Sequence, residues 1–394
     1  MPYYRQVGEI PHKRHTAFRK PDGGLYAEEL MGVEGFSADS ALLYHRGLPT
    51  AIVDAVAIED ERGPITPNHP LKPRAFKTHD LKFGDADAVT DRRRLFGNAD
   101  VTIGFVHATK PSPLYRNAAG DELFYVQGGG ATVETIYGSL EVGDGDYLVI
   151  PTSCTYRVLP HDSSDGGGVK LLTIEARGHI GPPKRYLSAK GQFLEHSPYC
   201  ERDIRGPSEP LVVDGTDVEV LVRHRAGLTR YTYATHPFDV VGWDGCLYPW
   251  VFNIDDFEPI TGRVHQPPPV HQTFEGPNFV VCSFCPRKVD YHPESIPVPY
   301  NHANVDSDEL MFYVRGNYEA RKGSGIEVGS LSLHPSGFTH GPQPGAAEAS
   351  IGAQFFDETA VMVDTFAPLD LGEAADASED HGYAWTWSGR GPGA

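Results

Sequence analysis

The sequence predicts an all-β protein in which one barrel-forming unit is used twice, and three observations carry that expectation. Glycine (43) and proline (33) are frequent among the 394 residues, so short elements joined by turns are favoured over long helices. From about residue 101 the chain becomes a series of short apolar runs rich in β-branched and aromatic side chains, spaced as in an antiparallel sandwich or barrel. One pattern of strand, turn and strand then returns in the second half of the chain.

Residues 1–100 change between Pro, Gly and charge every few positions and read as an irregular N-terminal segment, with Leu25-Tyr-Ala-Glu-Glu-Leu30 as a short helical-turn candidate. Residues 101–180 form the first barrel, with strands expected at Val101–Val106, Glu122–Val126, Thr132–Ile136, Asp146–Ile150 and Val169–Ile174. Residues 181–235 read as a Pro-rich connection, with strand texture returning near Val218–Val222. Residues 236–370 form the second barrel. The tail, 371–394, is acidic and poor in apolar residues, so it is expected to be mobile or draped on the surface.

The repeat links the two barrels. Asp121-Glu-Leu-Phe-Tyr-Val-Gln-Gly128 resembles Asp308-Glu-Leu-Met-Phe-Tyr-Val-Arg-Gly316 with an offset of one residue. Further on, each copy has a Gly, five residues and a Pro: Gly145 to Pro151 in the first, Gly329 to Pro335 in the second.

Composition excludes several functions. Lys plus Arg against Asp plus Glu gives 34 − 53 = −19, the wrong sign for neutralising nucleic-acid phosphates or docking on anionic lipid. No stretch approaches the ~18 apolar residues of a membrane span, and the N-terminus lacks a signal-peptide core, so the expected location is the cytoplasm. Five cysteines are too few and odd in number for a disulfide scaffold. Cys282-Ser-Phe-Cys285 sits in an apolar strand-like run, where residues three apart face opposite ways, so it reads as core and not as a metal clasp. Gly128-Gly-Gly130 is followed by no Lys-Ser or Lys-Thr, and no Gly-x-Ser-x-Gly occurs, which removes the phosphate-loop and serine-hydrolase signatures.

The second copy carries His302, Glu309 and His340 at its strand positions. Two neutral imidazoles and one carboxylate can occupy one face of an octahedral divalent metal and leave three positions for substrate and oxygen. In the first copy Tyr156 stands where His340 would be, Asn117 falls near the position of His302, and only Glu122 remains, so one metal site per chain is expected.

Glu309–Gly316 followed by Gly329–Pro335–Gly337–His340 resembles the two signature motifs of the cupin superfamily, whose fold is the double-stranded β-helix, or jelly roll. Pro299-Tyr-Asn-His-Ala-Asn304, Arg315-Gly-Asn-Tyr-Glu-Ala320, Gly329-Ser-Leu-Ser-Leu-His334, Thr339-His-Gly-Pro342 and Pro237-Phe-Asp-Val-Val-Gly-Trp-Asp-Gly245 are similar to the homogentisate 1,2-dioxygenase family, as is Leu25–Leu30. That resemblance implies Fe(II) held by His302, Glu309 and His340, with Asp308 a rival ligand because the His302–Glu309 spacing is one residue longer than the family's. It implies His265 as the base that takes a substrate hydroxyl proton, with His271 six residues on as the alternative, and Tyr318 and His334 as substrate contacts beside His340. Arg263, Arg287 and Arg321 are candidates for the substrate carboxylate. The implied partners are a small aromatic acid and O2, in a homo-oligomer, trimer or hexamer, and the implied reaction opens homogentisate to maleylacetoacetate. A related substrate such as gentisate, a non-oxidative metal isomerase or decarboxylase, and a storage cupin are the alternatives.

Overall fold

In the computed structural model, which describes residues 3–59, 62–162 and 167–391, 41% of the chain lies in strands and 8% in helix, so the fold is all-β as the turn-rich composition requires. The chain divides into two units: Met1–Glu61, Phe83–Arg92 and Val106–Asn253 form the first, and Arg62–Lys82, Arg93–Phe105 and Ile254–Ala394 the second. Each is a cupin-type barrel.

The first unit is organised by the long strand Glu122–Thr135, which pairs antiparallel with Gly138–Gly143, Asp146–Ile150, Thr155–Pro160 and Val169–Ala176. Asp146–Ile150 is buried at every position because it lies between Glu122–Thr135 and Trp250–Asn253, and its near-continuous apolar text suits a strand covered on both faces. The second unit holds a six-stranded sheet in the order Gln272–Gly276, Phe279–Phe284, Glu358–Thr365, Asp308–Gly316, Ser330–His334, Arg74–Lys77. Ser330–His334 is buried throughout for the same reason, being paired on both edges. Cys282 and Cys285 are buried and form no disulfide.

Four expectations need correction. The first hundred residues are not irregular: they supply six strands, of which Arg74–Lys77 and Arg93–Gly97 belong to the second unit. The supposed helical turn at 25–30 is part of the strand Ala27–Gly32, since pairing with Ser40–His45 satisfies its backbone where a lone helical turn is too short to be stable. The connection at 181–235 contains the hairpin Val218–His224 and Gly227–Tyr233, and Val240–Gly245 pairs with Arg5–Gly8 and Ser40–His45, so the second unit starts at Ile254 and not at 236. The tail is not draped on the surface. Asp370–Leu371 pairs with Arg93–Gly97, Ala375 and Tyr383 are buried, and Glu379 reaches the buried guanidinium of Arg74 at 2.7 Å.

The two repeats superpose in register without the offset of one residue. Gly129, not Gly128, matches Gly316: both lie seven residues after the glutamate, both have positive φ (+82° and +88°), and a Cβ on either would come within 2.1 Å of a cross-strand carbonyl oxygen. Gly145 and Gly329 also share positive φ and donate to the carbonyls of Val126 and Tyr313, each four residues after its glutamate. Asp121 and Asp308 are the same anchor, since each accepts backbone N–H groups just after the repeat proline (Thr152, Ser336) and further along the chain (Ile180, Leu369). The residue opposite Tyr156 is Tyr115, as His302 is opposite His340, so Tyr115 and not Asn117 takes the place of His302.

A candidate metal centre in the second unit

His302 and His340 exchange two backbone hydrogen bonds, 2.7 and 2.8 Å, which puts their imidazoles side by side with ring centroids 4.3 Å apart. Glu309 follows Asp308 at the start of the neighbouring strand Asp308–Gly316. One donor atom from each of the three lies within 4.8 Å of the others, and among the described residues this is the one His, Cys, Asp and Glu cluster with that geometry. His302 Nε2 is 3.4 Å from Glu309 Oε2, and His340 Nε2 is 3.3 Å from Oε1.

The donor set fits a metal. His340 Nε2 is buried and has no aligned hydrogen-bond partner, a costly condition that a cation between the imidazoles and the carboxylate removes. Burial pushes the Glu309 carboxyl up, but the surrounding imidazoles of His302, His334 and His340 outweigh it and hold the group well below the usual carboxylate range. An ionised Glu309 is the form that ligates. Asp308 is the anchor described above and has both oxygens occupied by backbone N–H groups, so it is spent on structure.

His334 lies behind the cluster. Its Nδ1 is 3.0 Å from Glu309 Oε1, its Nε2 is 2.8 Å from the Tyr383 hydroxyl, and the ring is fully buried. An ionised Glu309 only accepts, so Nδ1 carries the proton and Tyr383 donates to Nε2. Burial, then the nearby Arg321 charge, pushes His334 down to about 3, so it is neutral. With both nitrogens engaged it has no polar atom left for a substrate, which corrects its expected role.

The cluster does not include His265 or Tyr318. The His265 ring meets Tyr300 edge-on at 5.2 Å, and Tyr300 meets His302 at 5.7 Å, so one aromatic ring stands between His265 and the cluster. His265 Nδ1 is 3.6 Å from Asp290 Oδ2, and desolvation lowers its pKa. His265 and His271 line the same cavity with Phe284, Arg287 and Phe356. His271 is buried against Phe284, with a pKa lowered to about 3 by desolvation, and its Nδ1 has no partner. Tyr318 packs against Tyr313 at 4.8 Å, and its buried hydroxyl has no partner. Of the three arginines, Arg321 is buried and holds the Gly341 carbonyl beside His340, and Arg287 pairs with Glu358.

Sequence reasoning missed Tyr300, Tyr383 and Asp364. Asp364 lies opposite Glu309 on Glu358–Thr365, and burial, with the Glu309 charge, pushes its carboxyl up to about 8. A polar residue inside the apolar run Ala360-Val-Met-Val-Asp-Thr365 was the available signal for Asp364; Tyr383 sits in a stretch with no period at all. Among the described residues no helix is long and apolar enough to cross a membrane.

The family model described as "Homogentisate 1,2-dioxygenase C-terminal" matches residues 253–390, a stretch that contains the whole cluster together with His265, Tyr318 and Tyr383. Over 391 residues the chain is 38% identical to "Putative dioxygenase SSO1533" of Saccharolobus solfataricus, covering 98% of this chain and 99% of the relative. It is 28% identical to homogentisate 1,2-dioxygenase of Nitrobacter hamburgensis (70% of this chain, 62% of that one) and 25% identical to that of Emericella nidulans (86% and 80%). Among solved structures, a cupin 2 conserved barrel domain protein from Leptotrichia buccalis matches 79% of this chain and 99% of its own at 11% identity, with a TM-score of 0.31. A full-length relative named as a putative dioxygenase, and a family pattern lying over the residues that the fold gathers round Glu309, place this chain in the homogentisate 1,2-dioxygenase family.

Proposed function

We propose that the protein is an Fe(II)-dependent dioxygenase that opens the ring of homogentisate with O2 to give maleylacetoacetate. The observation that carries this reading is the cluster of a half-buried imidazole, a buried imidazole and a buried ionised carboxylate, with a neutral imidazole, His265, one aromatic ring away. Relatives named homogentisate 1,2-dioxygenase support the choice of substrate.

Fe(II) held by His302, Glu309 and His340 would supply a Lewis acid and a place for O2. The protein's part is to receive and orient an aromatic acid. A phenol has a pKa near 10, so its ionisation at neutral pH needs a base, and desolvated His265 is neutral and free to take the proton. Asp290 then steadies the imidazolium. The unpartnered Tyr318 hydroxyl offers the substrate a hydrogen bond. His334 and Tyr383 fix the Glu309 carboxylate, and Phe284 and Phe356 give the cavity beside His265 an apolar wall for an aromatic ring. Cytoplasmic action, and assembly into trimers or pairs of trimers, belong to the same proposal; sedimentation velocity tests the assembly.

The test is anaerobic loading with Fe(II), followed by O2 uptake with homogentisate and, in parallel, gentisate, while the absorbance of maleylacetoacetate is followed. Uptake equal to homogentisate consumed, abolished by His340→Ala, is expected. Uptake with gentisate alone changes the substrate; none with either, despite bound iron, removes the dioxygenase reading.

A further inference from the structure

One polar row crosses three strands of the second unit. Glu309 lies opposite His334 on one side and opposite Asp364 on the other, and cross-strand partners in an antiparallel ladder share a face. Glu309 is surrounded by imidazoles, whereas Asp364 Oδ1 is buried with no hydrogen-bond partner, and among the described residues no basic side chain pairs with it. A carboxylate oxygen withdrawn from water without donor or cation is costly.

The first unit shows what such a pair of carboxylates is for. Glu175 lies opposite Glu122 in the same register, and the Arg92 guanidinium spans the two, with Nη1 at 2.5 Å from Glu122 and 3.1 Å from Glu175. There, two adjacent-strand carboxylates share one cation. We infer that Asp364 is the second carboxylate of the metal centre, a negative charge when a metal ion is bound, serving that ion as Glu175 serves Arg92. It acts on the ion through the field, not as a ligand, so it is a positioning residue for charge. Glu309 and Asp364 together balance a divalent ion, which favours +2 over +1. The inference rests on reading His302, Glu309 and His340 as a metal centre.

Fe(II) affinity is measured under nitrogen by competition with a chromophoric chelator, on the full chain, together with the thermal midpoint of the metal-free protein. Asp364→Asn is expected to bind Fe(II) about tenfold more weakly or worse. Its metal-free midpoint should stay or rise, because an unsatisfied carboxyl has gone. Asp364→Glu keeps the charge and retains most of the affinity. Glu175→Gln, in the other unit, lowers the metal-free midpoint and leaves Fe(II) binding untouched. An Asp364→Asn chain that binds Fe(II) as tightly as wild type overturns the inference while the metal reading stands. A wild-type chain that binds no Fe(II) overturns both.

Discussion

The two units build the same frame round a glutamate: the first holds a guanidinium there, the second two imidazoles that fit a metal. Glu122 and Glu309 start equivalent strands, Tyr115 and His302 precede them by seven residues, and Tyr156 and His340 close the ring from the neighbouring segment. Ile150 takes the position of His334, since each lies directly opposite its glutamate. In the first unit Arg92 fills the centre: it donates to Glu122 and to the Tyr156 hydroxyl at 2.8 Å, Tyr156 donates to Glu122 at 2.7 Å, and the guanidinium lies 4.9 Å from the Phe124 ring. A frame of this kind keeps its buried carboxylates without a metal where a guanidinium brings enough donors to satisfy them. The difference teaches that the feature the two units share is a buried glutamate that needs a positive partner, and that the chemistry available depends on what that partner is.

Removing Arg92 breaks the comparison most severely. Arg92→Met leaves Glu122 and Glu175 buried beside each other with nothing to neutralise them, and should cost about 3–5 kcal/mol in denaturant unfolding. Fe(II) binding by the fraction that remains folded should be unchanged. A loss under about 1 kcal/mol would mean that the carboxylates re-solvate or protonate freely, and Arg92 would then be no substitute for a metal.

How much of this was legible in the sequence depends on the range of the interaction. The repeat, the glycine turns and the His302–Glu309–His340 set were readable because each depends on spacing within one strand–turn–strand unit. The correct glycine was not, because three glycines stand in a row at 128–130 and only the pairing shows that each copy bulges at one residue there, Gln127 and Val314, before Gly129 and Gly316. Arg92 was invisible: it lies 30 residues before Glu122, in a stretch with no strand texture, and reaches the barrel centre only through the tertiary fold. The tail was misjudged because composition counts its acids without seeing that Glu379 meets Arg74 and Tyr383 meets His334. His265 stays apart from the cluster in space as it does in sequence.

A second contrast concerns imidazoles. His45, in the first unit, is buried between Asp239 (2.6 Å) and Glu29 (2.9 Å). Burial alone would lower its pKa, but the two carboxylates outweigh that and raise it to about 9, whereas His334, beside one carboxylate and near Arg321, is neutral. The folded state therefore binds the His45 proton more tightly than the unfolded chain, whose imidazole titrates near 6.5. This stability is fully present below about pH 6.5 and is lost as pH rises towards 9. Wild type should lose on the order of 2–3 kcal/mol relative to His45→Gln between these pH values. Parallel slopes for the two proteins in urea unfolding would rule out a charged His45.

The smallest effect sharpens the second unit's side of the comparison. Where the first unit has Ile150, the second has His334, and only the second extends the row outward to Tyr383. If Tyr383 donates to Nε2, it fixes the tautomer that sends the Nδ1 proton to Glu309. Tyr383→Phe removes one hydroxyl and keeps the ring that packs 5.2 Å from Trp387. Both tautomers of His334 are then accessible, and one of them turns a lone pair towards the carboxylate. Fe(II) affinity should fall about tenfold, near 1.4 kcal/mol, by chelator competition, while the metal-free midpoint moves little. The equivalent deletion at Ile150, Ile150→Val, should change stability slightly and metal binding not at all. An unchanged Fe(II) affinity in Tyr383→Phe would show that Glu309 is held by its strand alone, and the tail would then be packing for the barrel and nothing more.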